Sequence, residues 1–365
     1  MSLVTFLGIY FVRKAGIDVA TVGLAFLCEH GLRGVLAPMF GAISDRIGRR
    51  MLLIAAALAT AVVLPCFLLV SGPATLFAWS IAMGIVGAVN IPVSNALLLD
   101  LAPVERRQSV LALNYTLMSV AYTLGVSPAG YVAEQGYGLL AVLSSFGYVL
   151  VASLYAFALM GKLPLEKTST GVLRDTVSAF RDRTFLLFAL MAFVFPLSMG
   201  MVVTVSPLYG ADLGLGEGYI GLVLGGNSII VAALALPAAA RMERLGPFSL
   251  LGAAAALVSA SLFCYALVPG PAAALLIGTV VFSFGEVLFS SAVPAAVARL
   301  APAGRRGAYQ GGWALIASLS MGSALVLSGW LQAQIGWQGA WLAYAAVVLA
   351  AAVALFASRR IFLRQ

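Results

Sequence analysis

Gly41-Ala42-Ile43-Ser44-Asp45-Arg46-Ile47-Gly48-Arg49-Arg50 is a charged knot between two long apolar runs, Val19–Ile43 and Met51–Val70. Each run reaches the ~20 residues that an α-helix needs to cross about 30 Å of hydrocarbon. A helix satisfies every backbone N–H and C=O within itself, which lipid demands. The knot therefore reads as the tight turn of a membrane hairpin. Gly41 lets a neighbouring helix come close. Gly48 suits the turn itself. Asp45 can accept hydrogen bonds from basic groups and helix N-termini, and the arginines suit an anionic membrane face.

The same alternation continues outward. Further runs lie at Ala74–Leu99, Ser109–Ala133, Leu139–Gly161, Thr184–Leu208, Tyr219–Ala240, Phe248–Val268, Ala272–Ala298, Ala308–Leu331 and Trp337–Ala357. Composition agrees: 62% of the 365 residues are hydrophobic and 9% are charged. A soluble domain carries about 25% charged residues. The fold class expected is an all-α membrane protein.

The net charge of +8 follows membrane topology rather than nucleic-acid binding. Loops on one side hold 18 of the 21 basic residues, from Arg46, Arg49 and Arg50 to Arg359, Arg360 and Arg364. The opposite side holds Arg13 and Lys14, and Arg33 lies within a span. The Arg-rich loops and the C-terminus are expected in the cytoplasm, with Lys162–Arg183 as a cytoplasmic linker. The strong preference for Arg over Lys suggests a GC-rich bacterial source, hence the bacterial inner (plasma) membrane.

The chain repeats itself. Leu101-Ala102-Pro103 with Arg106-Arg107 returns as Leu300-Ala301-Pro302 with Arg305-Arg306, 199 positions on. Asp45-Arg46-Ile47-Gly48 returns as Glu243-Arg244-Leu245-Gly246, Tyr10 as Tyr209 and Gly23 as Gly221, at 198 or 199. Four matches in order at one offset indicate two halves of the same topology, 1–161 and 184–365. Such parallel halves are a transporter architecture with substrate between them. The seventh span maps back to a point before residue 1, and Met1–Val12 is too short to cross a bilayer. A truncated first helix, with an upstream start adding roughly 15 residues, is the expectation.

The Gly41–Arg50 stretch, with its Asp-Arg-x-Gly-Arg-Arg core, resembles the signature between helices two and three of the major facilitator superfamily, and the resemblance covers nearly the whole chain. It implies twelve helices in two six-helix halves. It also implies a conformational gate at Gly41, Asp45, Arg46, Gly48, Arg49 and Arg50, which latches the halves on the cytoplasmic side. Pro92, Asn95, Asp100, Pro103, Glu105 and Arg106 look like bacterial drug:proton antiporters, as do Gly285-Glu286, Pro294 and Leu300-Ala301-Pro302. Two places depart from that pattern. Gly125-Val126-Ser127-Pro128-Ala129-Gly130 is a compressed form of the group's helix-five element, and Ser80 stands where the group often has an arginine.

Ionisable groups within a span cost about 2.5–3.5 kcal/mol even on the lenient insertion scale, so each needs a reason. The proton-coupling candidates are Glu286, Glu29, His30 and Arg33. Glu29 and Arg33, four apart, share a helix face, either as a neutral packing pair or as part of the transport site. His30 is either a titrating group or a hydrogen-bonded packing group. Glu286 has no basic partner in reach on its own helix. It either exchanges a proton or stays a protonated hydrogen-bond donor. Asn90, Asn114, Tyr115, Asn227 and Trp313 are substrate-cavity candidates.

Cys28, Cys66 and Cys264 have no metal or disulfide spacing. Nothing resembles a nucleotide loop, metal cluster or nucleophile triad, so no cofactor, no metal and no enzyme activity are expected. The leading expectation is proton-coupled efflux of a small organic solute by alternating access, by a monomer whose partners are that solute, protons and the bilayer. The alternatives are a nutrient or metabolite importer or facilitator, and a transport-inactive sensor or scaffold.

Overall fold

The structure is a computed structural model that describes residues 2–103, 107–158, 179–242, 247–302 and 305–362. Among these residues the chain is helical and strand-free. The N-terminal half contains α1 (Ser2–Ile9, continued by a π-helical turn, Tyr10–Lys14), α2 (Val19–Ile47) and α3 (Arg49–Val63, continued as a 3₁₀ segment, Leu64–Leu69). It is completed by α4 (Pro73–Leu101), α5 (Arg107–Gln135) and α6 (Tyr137–Ala158). The C-terminal half contains α7 (Arg183–Asp212), α8 (Glu217–Met242), α9 (Pro247–Leu267) and α10 (Pro271–Leu300). The last helical stretch, Arg306–Phe362, is divided at Gly336 (φ 69°) into α11 (306–335) and α12 (337–362).

Local chemistry sets these boundaries. The Asp18 carboxylate accepts from the Thr21 amide (2.9 Å) and starts α2; Asp182 caps α7 in the same way through Thr184 (2.8 Å). Gly48 at φ 95° makes the α2–α3 turn without a loop, and Gly136 at φ 151° turns α5 into α6. Gly136 and Gly336 are repeat mates, 200 positions apart. The spans expected at Ala308–Leu331 and Trp337–Ala357 are thus joined by a single glycine kink. The expected Thr184–Leu208 span is one membrane-length element with a π-helical turn at Met201–Val205, just before Pro207.

Nine helical stretches among the described residues are long and apolar enough to cross a membrane, the last of them comprising both α11 and α12. α5 matches α2 and α4 in length at 29 residues. The first segment, α1 with its π-helical turn, is short, as its 12 apolar residues predict.

The two halves meet along two seams, α2 against α11 and α5 against α8. The contacts obey the repeat. Gly23 meets the Val326 backbone and Gly221 meets that of Val126; Gly329 meets Val19 and Ala20, and Gly130 meets Glu217 and Gly218. Each contact is its partner moved by 198 to 200 positions, as a pseudo-twofold relation of the halves requires. A Cβ at Gly23 would stand 2.5 Å from the Val326 nitrogen, and one at Gly221 would stand 2.8 Å from the Val126 oxygen. Only glycine permits this backbone approach.

Aromatic packing repeats too. Tyr10 lies 4.9 Å from both Phe67 and Tyr137, centroid to centroid; its mate Tyr209 lies 6.3 Å from Tyr265 and 5.7 Å from Trp337.

Candidate transport site

Glu286 sits on α10 among Val280–Val293 and is 4% exposed. Asn227 of α8 reaches it: the amide nitrogen donates to Glu286 Oε2 (3.1 Å) and to Ser283 Oγ (2.9 Å). Ser283, one turn before Glu286, donates in turn to the Thr279 carbonyl (2.9 Å), and Thr279 Oγ1 pairs with the Tyr265 hydroxyl (2.7 Å). On α5, the Tyr122 hydroxyl is paired with Thr5 of α1 (3.0 Å). Glu286 makes no ion pair among the described residues. The result is a buried carboxyl held by an amide beside a serine hydroxyl, where α8 packs on α10.

Glu29, His30 and Arg33 of α2 do not join this group. Arg33 Nη2 bonds Glu29 Oε1 at 2.5 Å, and Glu29 is 1% exposed. The guanidinium lies over Gly87 of α4, where a Cβ would stand 2.6 Å from Nη2. The pair is therefore set between α2 and α4, inside the N-terminal half. His30, one residue on, is turned by about 100°. Its Nδ1 is 2.9 Å from the Phe26 carbonyl, and its Cβ is 2.8 Å from where Gly322 of α11 would carry one. It belongs to the seam between the halves.

At the Arg-rich end, Arg49 gathers carboxylates from two helices, Asp45 of α2 (3.2 Å) and Asp100 of α4 (2.7 Å). Arg50 donates to the Ala156 carbonyl of α6 (2.6 Å), while Arg46 is exposed. These ties all lie within the N-terminal half. The α2–α11 seam can be followed from Val19 through Gly23, Leu27 and Gly31 to Gly34, which meets Leu315 and Ser318. At Gly41, nothing among the described residues lies within 4 Å of a Cβ position. The glycine contacts of this seam thus run from Val19 to Gly34, away from the Arg-rich end.

Of the cavity candidates, Asn227 is in the Glu286 group. Asn114 of α5 donates to Asn95 of α4 (3.3 Å), and Asn90 is half-buried on α4. Trp313 packs 6.0 Å from Phe188 within the C-terminal half. The side chain of Tyr115, together with Glu105, Arg106, Glu243–Gly246 and most of the expected linker, lies outside the described residues. Reading the sequence missed Ser283 and Thr5. It also missed the contacts Arg13–Asp212, Tyr137–Glu217 and Glu134–Gly218. The repeat offset held the signal for one of these, because Arg13 and Asp212 are 199 apart.

Two facing helical halves around a central polar group define a polytopic membrane transporter of the two-repeat kind. The chain belongs to the Major Facilitator Superfamily, whose family model matches residues 1–218 and 188–362. It is 24% identical over 323 residues to the uncharacterized MFS-type transporter YqjV of Bacillus subtilis (strain 168), covering 84% of this chain and 77% of that one. It is 24% identical over 344 residues to a Na(+), Li(+), K(+)/H(+) antiporter of Planococcus maritimus, covering 83% and 79%. The crystal structure of the nucleoside transporter NupG shares the fold, with a TM-score of 0.76 at 16% identity over 97% of this chain and 93% of that one. These relatives are transporters, not enzymes.

Proposed function

We propose that this protein is a proton-coupled secondary transporter that exports a small organic solute by alternating access. The solute binds between the halves, and Glu286 exchanges the coupling proton. The observation that carries this reading is the Glu286 group itself. It is a buried carboxyl without an ion-pair partner among the described residues, tied to Asn227 beside Ser283. A carboxyl that takes a proton in one conformation and yields it in another moves one proton per cycle. In this reading the Arg-rich loops face the cytoplasm of a bacterial cell, the halves span 1–161 and 184–365, and a single copy suffices.

A second reading is exchange of a monovalent inorganic cation for protons. The antiporter relative favours it, and so do the neighbouring oxygens of Glu286 and Ser283, both bonded to Asn227. Everted vesicles separate the readings. With a respiration-driven pH gradient, Na⁺, K⁺ and a panel of organic solutes are added in turn and proton release is followed. Organic solutes alone support the first reading and alkali cations alone the second. A solute that builds up without dissipating the gradient overturns both.

A further inference from the structure

The end opposite the Arg-rich loops is closed by polar contacts as well as by glycine packing. Arg13, in the π-helical turn after α1, places Nε 3.6 Å from Asp212 Oδ1 at the end of α7. Trp337 donates its indole N–H to the other Asp212 oxygen (3.1 Å) and so orients the carboxylate. Beside them, Tyr137 of α6 donates to Glu217 of α8 (2.8 Å), and the Gly218 amide donates to Glu134 of α5 (2.8 Å). Arg13–Asp212, Tyr137–Glu217 and Gly218–Glu134 each join one half to the other.

Arg13 and Asp212 also occupy the same position of the two repeats. Residues related by a pseudo-twofold relation face each other when they lie close to its axis. Like charges there repel; opposite charges attract. The two halves differ in sign at this position, and the difference turns a symmetric contact into an ion pair.

We propose that Arg13 and Asp212 form an inter-half latch that holds this end shut, acting as positioning residues for the conformational cycle. The pair exists only while this end is closed, so its energy weights one state of the cycle against the other. The side chains are 44% and 31% exposed, which keeps the effect small. Exposed pairs of this kind change an equilibrium ratio by roughly two- to fivefold.

The test uses the full chain with Cys28, Cys66 and Cys264 replaced, in lipid nanodiscs. Spin labels are placed by Gly138→Cys and Gln338→Cys, exposed repeat mates at the starts of α6 and α12. Pulsed electron paramagnetic resonance then reads the distance between halves. In Arg13→Asp, the long-distance fraction rises at least about twofold. In Arg13→Asp with Asp212→Arg, the parent distribution returns. An unchanged distribution in Arg13→Asp overturns the latch. So does a double variant that stays as open as the single one.

Discussion

One amide nitrogen, Asn227 Nδ2, serves both Ser283 and Glu286, so the three side chains act as a unit. Glu286→Gln keeps the size and most hydrogen bonding but holds no exchangeable proton. It is expected to fold with a melting temperature close to the parent's and to lose proton-driven accumulation at least tenfold. Solute exchange without a gradient should persist, as measured in proteoliposomes. Gly87 offers a structural contrast. A methyl there meets the Arg33 guanidinium, and forced overpacking costs about 1–3 kcal/mol. Gly87→Ala should lower the melting temperature measurably. The lone carboxyl at 286 was legible in the sequence because charge is rare in a span. Its bond to Asn227 was not, because it depends on how α8 packs on α10, 59 positions away. The place of Arg33 over Gly87 was hidden for the same reason: spacing pairs Arg33 with Glu29 but does not say which helix covers them.

At the scale of elements, the α2–α3 turn and the two seams have different tasks. Arg49 binds Asp45 and Asp100 within one half, so the turn ties α2, α3 and α4 into a unit that moves together. Asp45→Asn removes one partly exposed ion pair, worth about 0.2–1 kcal/mol. Stability should barely change while transport turnover falls several-fold, if the charge acts in only one conformation. Unchanged turnover in vesicles assigns the turn to topology alone. The seams test the closure itself. A leucine at Gly23 cannot be placed against the Val326 backbone without separating α2 from α11. Gly23→Leu should therefore raise the long-distance fraction between positions 138 and 338 more than Arg13→Asp does. The helices themselves were readable to within a few residues, since apolar length and glycine punctuation fix them. The glycine kink at Gly336 and the π-helical turn of α7 were not, because hydropathy measures length and not backbone geometry.

At the scale of the molecule, the repeat accounts for the architecture. The sequence shows it in four short matches; the structure shows it in contacts, where Gly23–Val326 mirrors Gly221–Val126. The symmetry is broken where Arg13 stands against Asp212, and at Glu286 in α10, which has no acidic mate at 87 or 88 in α4, where Gly87 and Ala88 stand. Substrate identity was not legible, because a cavity between two halves is shaped by side chains drawn from distant helices. The proton is the more tractable ligand. Everted vesicles bearing the parent or Glu286→Gln are loaded with protons by respiration, and the pH gradient is followed with a fluorescent amine. Na⁺, K⁺, a lipophilic cation and a nucleoside are then added separately. At least one of these should dissipate the gradient in parent vesicles and leave it intact in Glu286→Gln vesicles. Equal dissipation in both would contradict proton exchange at Glu286.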